Sequence, residues 1–185
     1  AVKRFYTEAE AAARLDHPGI VPVYNVGEYQ GKHYYSMALI EGHPLAQLFE
    51  QGPLSPQKAA ELVRRAALAV HHAHQHGVIH RDIKPDNIMR SEDGQLVLID
   101  FGAVRDDIAH PNQPSGTLAG TPGYMAPEQA LGSASPASDI WAAGVLAVVM
   151  LTRQQPASLI EQGGRFAWRE ALEGMIDQES MALLE

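Results

Sequence analysis

The sequence predicts an α+β fold, with strand hairpins in the N-terminal half and helices dominating the C-terminal half. Three observations predict it. Hairpin signals recur at Gln30-Gly31-Lys32 and Asp93-Gly94. Leu62, Ala66, Ala69, Val70 and Ala73 recur at three- and four-residue spacing, giving a helix one apolar stripe. Residues 140–151 form an unbroken apolar run too long for a strand.

In chain order, residues 5–15 (FYTEAEAAARL) are rich in helix formers, and Asp16-His17-Pro18-Gly19 stops them. A strand is expected over 20–26, with Pro22 implying an edge or a bulge. The turn at Gln30-Gly31-Lys32 leads to a second arm over 33–40, which Glu41-Gly42-His43-Pro44 breaks. A longer helix spans 55–76, with Ser55 as N-cap, Pro56 at its first position and Gly77 just past its end. Ile88-Met89 and residues 96–99 read as short strands joined through Ser91-Glu92-Asp93-Gly94. Residues 105–120 lack periodicity and read as a long loop, the kind that is usually functional. Residues 140–151 predict a helix buried on every side. The tail from 154 to 185 has weak amphipathic stretches at 166–176 and 180–184, and no internal repeat is evident.

Composition excludes several classes. A chain of 185 residues suffices for one core or part of a larger domain. With 45% hydrophobic and 19% charged residues it reads as globular and soluble. A net charge of -8 without a basic block argues against nucleic acid as partner. The absence of cysteine removes disulfides, thiolate metal sites and a cysteine nucleophile, and fits a reducing compartment. The longest apolar run has 12 residues, too short to span a bilayer, so no membrane segment is expected. The start without Met and the abrupt end are those expected of a fragment.

The chemistry concentrates in His80-Arg81-Asp82-Ile83-Lys84-Pro85-Asp86-Asn87, in Asp100-Phe101-Gly102 thirteen positions after Asn87, and in Ala126-Pro127-Glu128. These three motifs, in this order, resemble the protein-kinase signatures, with Ile83 at a position where the family has Leu. The resemblance covers nearly the whole chain and is to eukaryotic-like, bacterial-type serine/threonine protein kinases. It implies a two-lobe fold: residues 1–40 a remnant of the small lobe, residues 41–185 the mostly helical large lobe, truncated before its end. In the family's terms, 5–15 is αC, the first hairpin is the fourth and fifth strands, 55–76 is αE and 139–151 is αF.

Phosphoryl transfer needs an attacking hydroxyl aligned with the γ-phosphate, and cations to neutralise the transferring group. The resemblance assigns Asp82 to orient the acceptor hydroxyl and Asn87 with Asp100 to hold Mg²⁺, whose preference for hard oxygens they meet. Lys84 would bring a cation to the γ-phosphate, and Thr121 would support Asp82; both point to serine/threonine rather than tyrosine specificity. Aligning residues 34–42 with the family's hinge makes Met37 the gatekeeper. Backbone groups of Ala38 and Ile40 would bond the adenine edge, above Met89 as an apolar floor. The same alternation along a strand also fits an ordinary core. His80, despite titrating near neutrality, has a structural role in the family, packed under Phe101 of the motif that Gly102 completes. Arg81 would pair with a phosphate on the loop, with Ser115 and Thr117 as candidate acceptors. Asp139 would hydrogen-bond the catalytic-loop backbone.

The chain also departs from the family. Glu8 matches the αC glutamate that pairs with a strand lysine. Lys3, however, lies only five positions upstream, too few for a strand, a turn and a helical turn. The Gly-rich phosphate loop is absent. Glu128 normally pairs with a late Arg, and no obvious candidate follows. His71, His72, His74 and His76 include an i,i+4 pair but no acidic or thiol companion, so they are expected to be capping or solvated groups at the helix end and no metal is assigned. The implied function is transfer of the ATP γ-phosphate to Ser/Thr hydroxyls of protein substrates, with ATP and Mg²⁺, by a cytoplasmic protein whose flanking sequence can carry a membrane tether. These residues alone are expected to be weak or inactive. The rival is a pseudokinase-type signalling scaffold; a small-molecule kinase is disfavoured by Thr121 and the Ala126-Pro127-Glu128 segment.

Overall fold

Pro22 decides how the chain enters its first sheet. Just before it, Ile20 forms a parallel bridge with Leu98, and Val21 donates its N–H to the Leu98 carbonyl at 2.9 Å. Pro22 has no N–H to continue that ladder. The chain turns instead into β1 (Val23–Tyr29), antiparallel to β2 (Lys32–Met37), with a register shift between Val23 and Asn25. The strand therefore starts later and runs further than 20–26, because Leu98 claims residues 20 and 21. The turn is tight: Gln30 and Gly31 both have positive φ (51° and 74°), the two-residue geometry that matches strand twist.

The structure is a computed structural model that describes residues 12–100, 120–160 and 166–176. Glu8 and Lys3, Phe101 and Gly102, Ser115 and Thr117 lie outside the described residues. So do most of the 5–15 helix, nearly all of the 105–120 loop and the 180–184 stretch. Ala12 and Leu15, at the described end of that first helix, are buried.

Residues 41–44 do more than break a strand. β3 (Gly42–Pro44) is the edge of a three-stranded antiparallel sheet with β4 (Ile88–Ser91) and β5 (Leu96–Leu98), in the order β3-β4-β5. Gly42 is there because the backbones nearly touch. A Cβ would lie 2.2 Å from the Arg90 carbonyl oxygen, and φ is 152°. Pro44 is tolerated because an edge strand has one unpaired side. Breaker composition and edge pairing are thus compatible, and only the partner strand reveals the second. A 3₁₀ turn, Leu45–Gln51, follows.

Helix α1 (Pro56–Gln75) forms as its sequence dictates. Ser55 accepts the Lys58 N–H at 3.3 Å, Pro56 starts the helix, and Gly77 leaves it with φ 74°. Its stripe of Ala59, Leu62, Ala66, Ala69, Val70 and Ala73 is buried. The alanines let α1 pack closely against α3 (Pro136–Thr152), which follows the short α2 (Pro127–Ala130). A capping box joins Ser135 and Ser138 at the start of α3. Leu146 and Met150 of α3 are fully buried, each such side chain contributing about 1.5–3 kcal/mol.

The expectation that α3 is buried on every side needs correction. Ile140 is 55% exposed, Trp141 38%, and Gly144 is exposed too. An apolar sequence shows what a helix tolerates, whereas burial needs a neighbour on each face. The described neighbours, α1 and α4 (Trp168–Leu172), leave the face of α3 that carries Ile140, Trp141 and Gly144 open, although Trp141 tilts against Phe166 at 6.0 Å. No described helix is long and apolar enough to cross a membrane.

Candidate active site

The β4–β5 hairpin turns a gap in sequence into a neighbourhood in space. Ile88 pairs with Leu98, and the ladder extends one step further, where Ile99 donates its N–H to the Asn87 carbonyl at 2.9 Å. Asn87 therefore stands opposite Ile99, with Asp100 next along the chain. At the far end, Gly94 takes φ 84° and the Asp93 carboxylate accepts from Ser91 Oγ and from the Gln95 N–H.

Asn87 ends a 3₁₀ turn, Pro85–Asn87, which folds its amide back on Asp82. Its Nδ2 donates to the Asp82 carbonyl at 2.9 Å and to Asp82 Oδ2 at 2.8 Å. Thr121 Oγ1 donates to Asp82 Oδ1 at 2.6 Å, and Lys84 Nζ lies 2.9 Å from Oδ2 while donating to Thr121 Oγ1 at 2.7 Å. Asp82, Thr121 and Lys84 close a ring, to which Asn87 adds a third donor on Asp82. Burial pushes the Asp82 carboxyl up, but the bonds from Thr121, Lys84 and Asn87 outweigh it and hold the group below its ordinary range. Asp82 is thus an ionised acceptor aimed by three donors.

His80 is fully buried and joins the two loops. Its Nε2 meets the Ile99 carbonyl at 3.1 Å, and its Nδ1 accepts the Asp82 N–H at 3.3 Å. One neutral tautomer, protonated at Nε2, satisfies both contacts. Burial holds its pKa down against the nearby carboxylates, and burial also lowers that of His17, with His72 adding to the effect. The sign follows: below the ordinary histidine range the unfolded chain takes up protons that the folded protein refuses. Stability is therefore complete above about pH 7 and falls as pH drops through the His80 window, at up to about 1.4 kcal/mol per proton per pH unit. Urea unfolding of the protein at pH 7.5, 6.5 and 5.5 measures this. A flat profile would contradict a neutral, buried His80.

Asp139, at the start of α3 and 1% exposed, holds the start of the His80–Asn87 loop. Its Oδ2 accepts the His80 N–H at 2.9 Å and its Oδ1 accepts the Arg81 N–H at 2.8 Å. His74 Nε2 completes the set at 2.8 Å from Oδ2. Within the histidine cluster, then, His74 reaches Asp139, while His76 Nδ1 meets the His72 carbonyl at 2.8 Å. Among the described residues no cluster of three or more His, Cys, Asp or Glu is arranged to hold a metal ion.

Two residues had no signal in the sequence. Buried Gln129 donates Nε2 to the Arg81 carbonyl at 2.5 Å, tying α2 to the catalytic loop. Gly120 lets that contact form, since a Cβ there would lie 2.6 Å from Gln129 Nε2 and 3.0 Å from the Arg81 oxygen. Tyr35 on β2 donates its hydroxyl to Asp100 Oδ1 at 3.1 Å. A single Gln after Ala126-Pro127-Glu128, or one Tyr in an alternating strand, carries no mark of such reach. Glu128 meets Ser138 Oγ at 2.7 Å, so its described partner is a hydroxyl at the start of α3 in place of the late arginine. That bond holds its carboxyl below the ordinary range.

Arg81 and Asp100 both adopt left-handed backbone, with φ of 70° and 63°. Residues with side chains rarely accept this, and it persists where neighbours hold it. On the hinge side, Met37 is 39% exposed, and Ala38 and Ile40 are half-buried. Ala38 spends its N–H on the Pro22 carbonyl at 2.9 Å, so that donor is already engaged. Met89 is half-buried on β4, opposite Pro44. Since Nδ2 of Asn87 is committed to Asp82, its Oδ1 faces the other way. That oxygen and the Asp100 carboxylate are hard donors of the type that suits Mg²⁺, which takes one or two protein oxygens and completes its shell with phosphate and water.

The family can now be stated. The chain matches the protein kinase domain over residues 1–178 and belongs to that family. It is 41% identical over 156 residues to the serine/threonine-protein kinase PknL of Mycobacterium tuberculosis, covering 83% of this chain and 39% of that protein. The probable serine/threonine-protein kinase PknB of Lactococcus lactis is 39% identical over 158 residues, covering 84% of this chain and 25% of that one. Among solved structures, the PknI kinase domain of Mycobacterium tuberculosis superposes with a TM-score of 0.68 at 28% identity, over 82% of this chain and 57% of that one. The chain thus spans well under half the length of these two curated relatives.

Proposed function

We propose that the protein transfers the γ-phosphate of ATP to Ser and Thr hydroxyls of protein substrates. The observation that carries this reading is the Asp82 carboxylate, held ionised and oriented by Thr121, Lys84 and Asn87. An acceptor hydroxyl donates to Asp82, which aligns its oxygen for attack and takes up its proton as the new bond to the γ-phosphorus forms and the bond from that phosphorus to the bridging oxygen breaks, releasing ADP. Lys84, within reach of the same carboxylate, offers its ammonium to the transferring group. Asn87 Oδ1 and Asp100 would hold Mg²⁺, which when bound supplies positive charge against the phosphate oxygens. The Ala38 carbonyl and an Ile40 backbone group would receive the adenine edge, between Met37 and Met89.

In this reading residues 1–40 belong to the small lobe and 41–185 to the large lobe. Arg81 receives a phosphate carried by Ser115 or Thr117, coupling loop modification to the Asp82 side of the site. Dependence on ATP and a chain without cysteine fit the cytoplasm.

The full-length protein, incubated with γ-labelled ATP and a generic protein substrate, tests the reading by hydrolysis of the product to its amino acids. Label on phosphoserine and phosphothreonine is the expected result. Label confined to phosphotyrosine or to a small molecule would refute the specificity, and no transfer at all would favour the scaffold.

A further inference from the structure

We propose that Tyr35 is a positioning residue for Asp100, tying the strand beside the adenine site to the oxygen donor at the phosphate end. The inference deepens the proposed function and rests on Asp100 as a Mg²⁺-holding carboxylate. Tyr35 stands two positions before Met37 on β2, so strand alternation puts both side chains on one face. Its hydroxyl crosses 65 positions of sequence to donate to Asp100 Oδ1 at 3.1 Å.

Asp100 needs such a hold. Its φ of 63° is a conformation that survives only where the surroundings fix it. The preceding residue is clamped on both sides: Ile99 donates its N–H to Asn87, and its carbonyl meets His80 Nε2. Those contacts act on the backbone. Tyr35 acts on the carboxylate itself. A carboxylate oxygen can accept more than one bond, so a phenol at Oδ1 fixes the plane of the group and is compatible with a cation on it. The base end and the phosphate end of a bound nucleotide would then share one strand as their common support.

Tyr35→Phe removes only the hydroxyl and keeps the ring, and a melting curve checks that the full-length variant is folded. Mn²⁺, titrated by electron paramagnetic resonance in the presence of a non-hydrolysable ATP analogue, serves as the probe. Its dissociation constant is expected to rise about fivefold, the order of one ordinary lost hydrogen bond. In the transfer assay, half-saturating Mg²⁺ should rise by a larger factor than kcat falls. Unchanged Mn²⁺ affinity overturns the inference. Tighter binding overturns it too, since the hydroxyl would then be competing with the cation. Asp100→Asn separates the two levels. If it leaves Mn²⁺ affinity intact, the metal role of Asp100 fails; if it weakens Mn²⁺ while Tyr35→Phe does not, only the Tyr35 inference fails.

Discussion

Asp82→Asn in the full-length protein is expected to reduce phosphoryl transfer by about 10²- to 10⁴-fold while the protein stays folded. The substitution is nearly isosteric, yet it cannot satisfy the ring around it. Three donors converge on two carboxylate oxygens: Thr121 on Oδ1, with Lys84 and Asn87 on Oδ2. An amide offers one oxygen. If it faces Thr121, its NH₂ is turned on the Lys84 ammonium and the Asn87 amide; if it is flipped, Thr121 loses its acceptor. Either way the acceptor hydroxyl loses an anionic partner, and Lys84 loses the charge that holds it. Labelling of a protein substrate by γ-labelled ATP provides the measurement. Undiminished labelling would sink the assignment of Asp82.

The second large effect is one of stability. Asp139→Ala should cost about 3–5 kcal/mol of unfolding free energy, because it strips the acceptor from buried donors. The His80 and Arg81 N–H groups both end on that carboxylate, and His74 does so from α1. Water cannot easily replace an acceptor that is 1% exposed. Urea unfolding at pH 7.5 measures the loss, and a change below about 1 kcal/mol would show that the loop does not depend on α3. Asp139→Asn should fall between wild type and Ala, since one amide oxygen can still serve one of the two backbone donors.

Much of this site was legible in the sequence because its residues cluster along the chain. Asp82, Lys84 and Asn87 lie within six positions of one another, and the Asp93-Gly94 turn signals the hairpin that delivers Asp100. Helix α1 was equally readable, since its cap, its stripe and its terminating glycine are all local features. What stayed hidden depends on long-range partners. Gly42 reads as a breaker until Arg90 is seen against it. Gln129, Tyr35 and His74 are ordinary residues until the fold brings them to Arg81, Asp100 and Asp139. The exposure of Ile140 and Trp141 on α3 has the same cause, since apolarity is written in one chain segment and burial is supplied by others.

The β4–β5 hairpin has a consequence for how such a domain can vary. Its ladder works as a caliper, with Asn87 and Asp100 at its jaws and the Ser91–Gln95 turn at its hinge. Residues added at the turn lengthen the handle and leave the jaws where they were. A single residue slipped into either strand would shift the pairing by one and turn alternate side chains to the wrong face. Drift is therefore cheap at one end of this hairpin and close to forbidden at the other, over a separation of only a few residues.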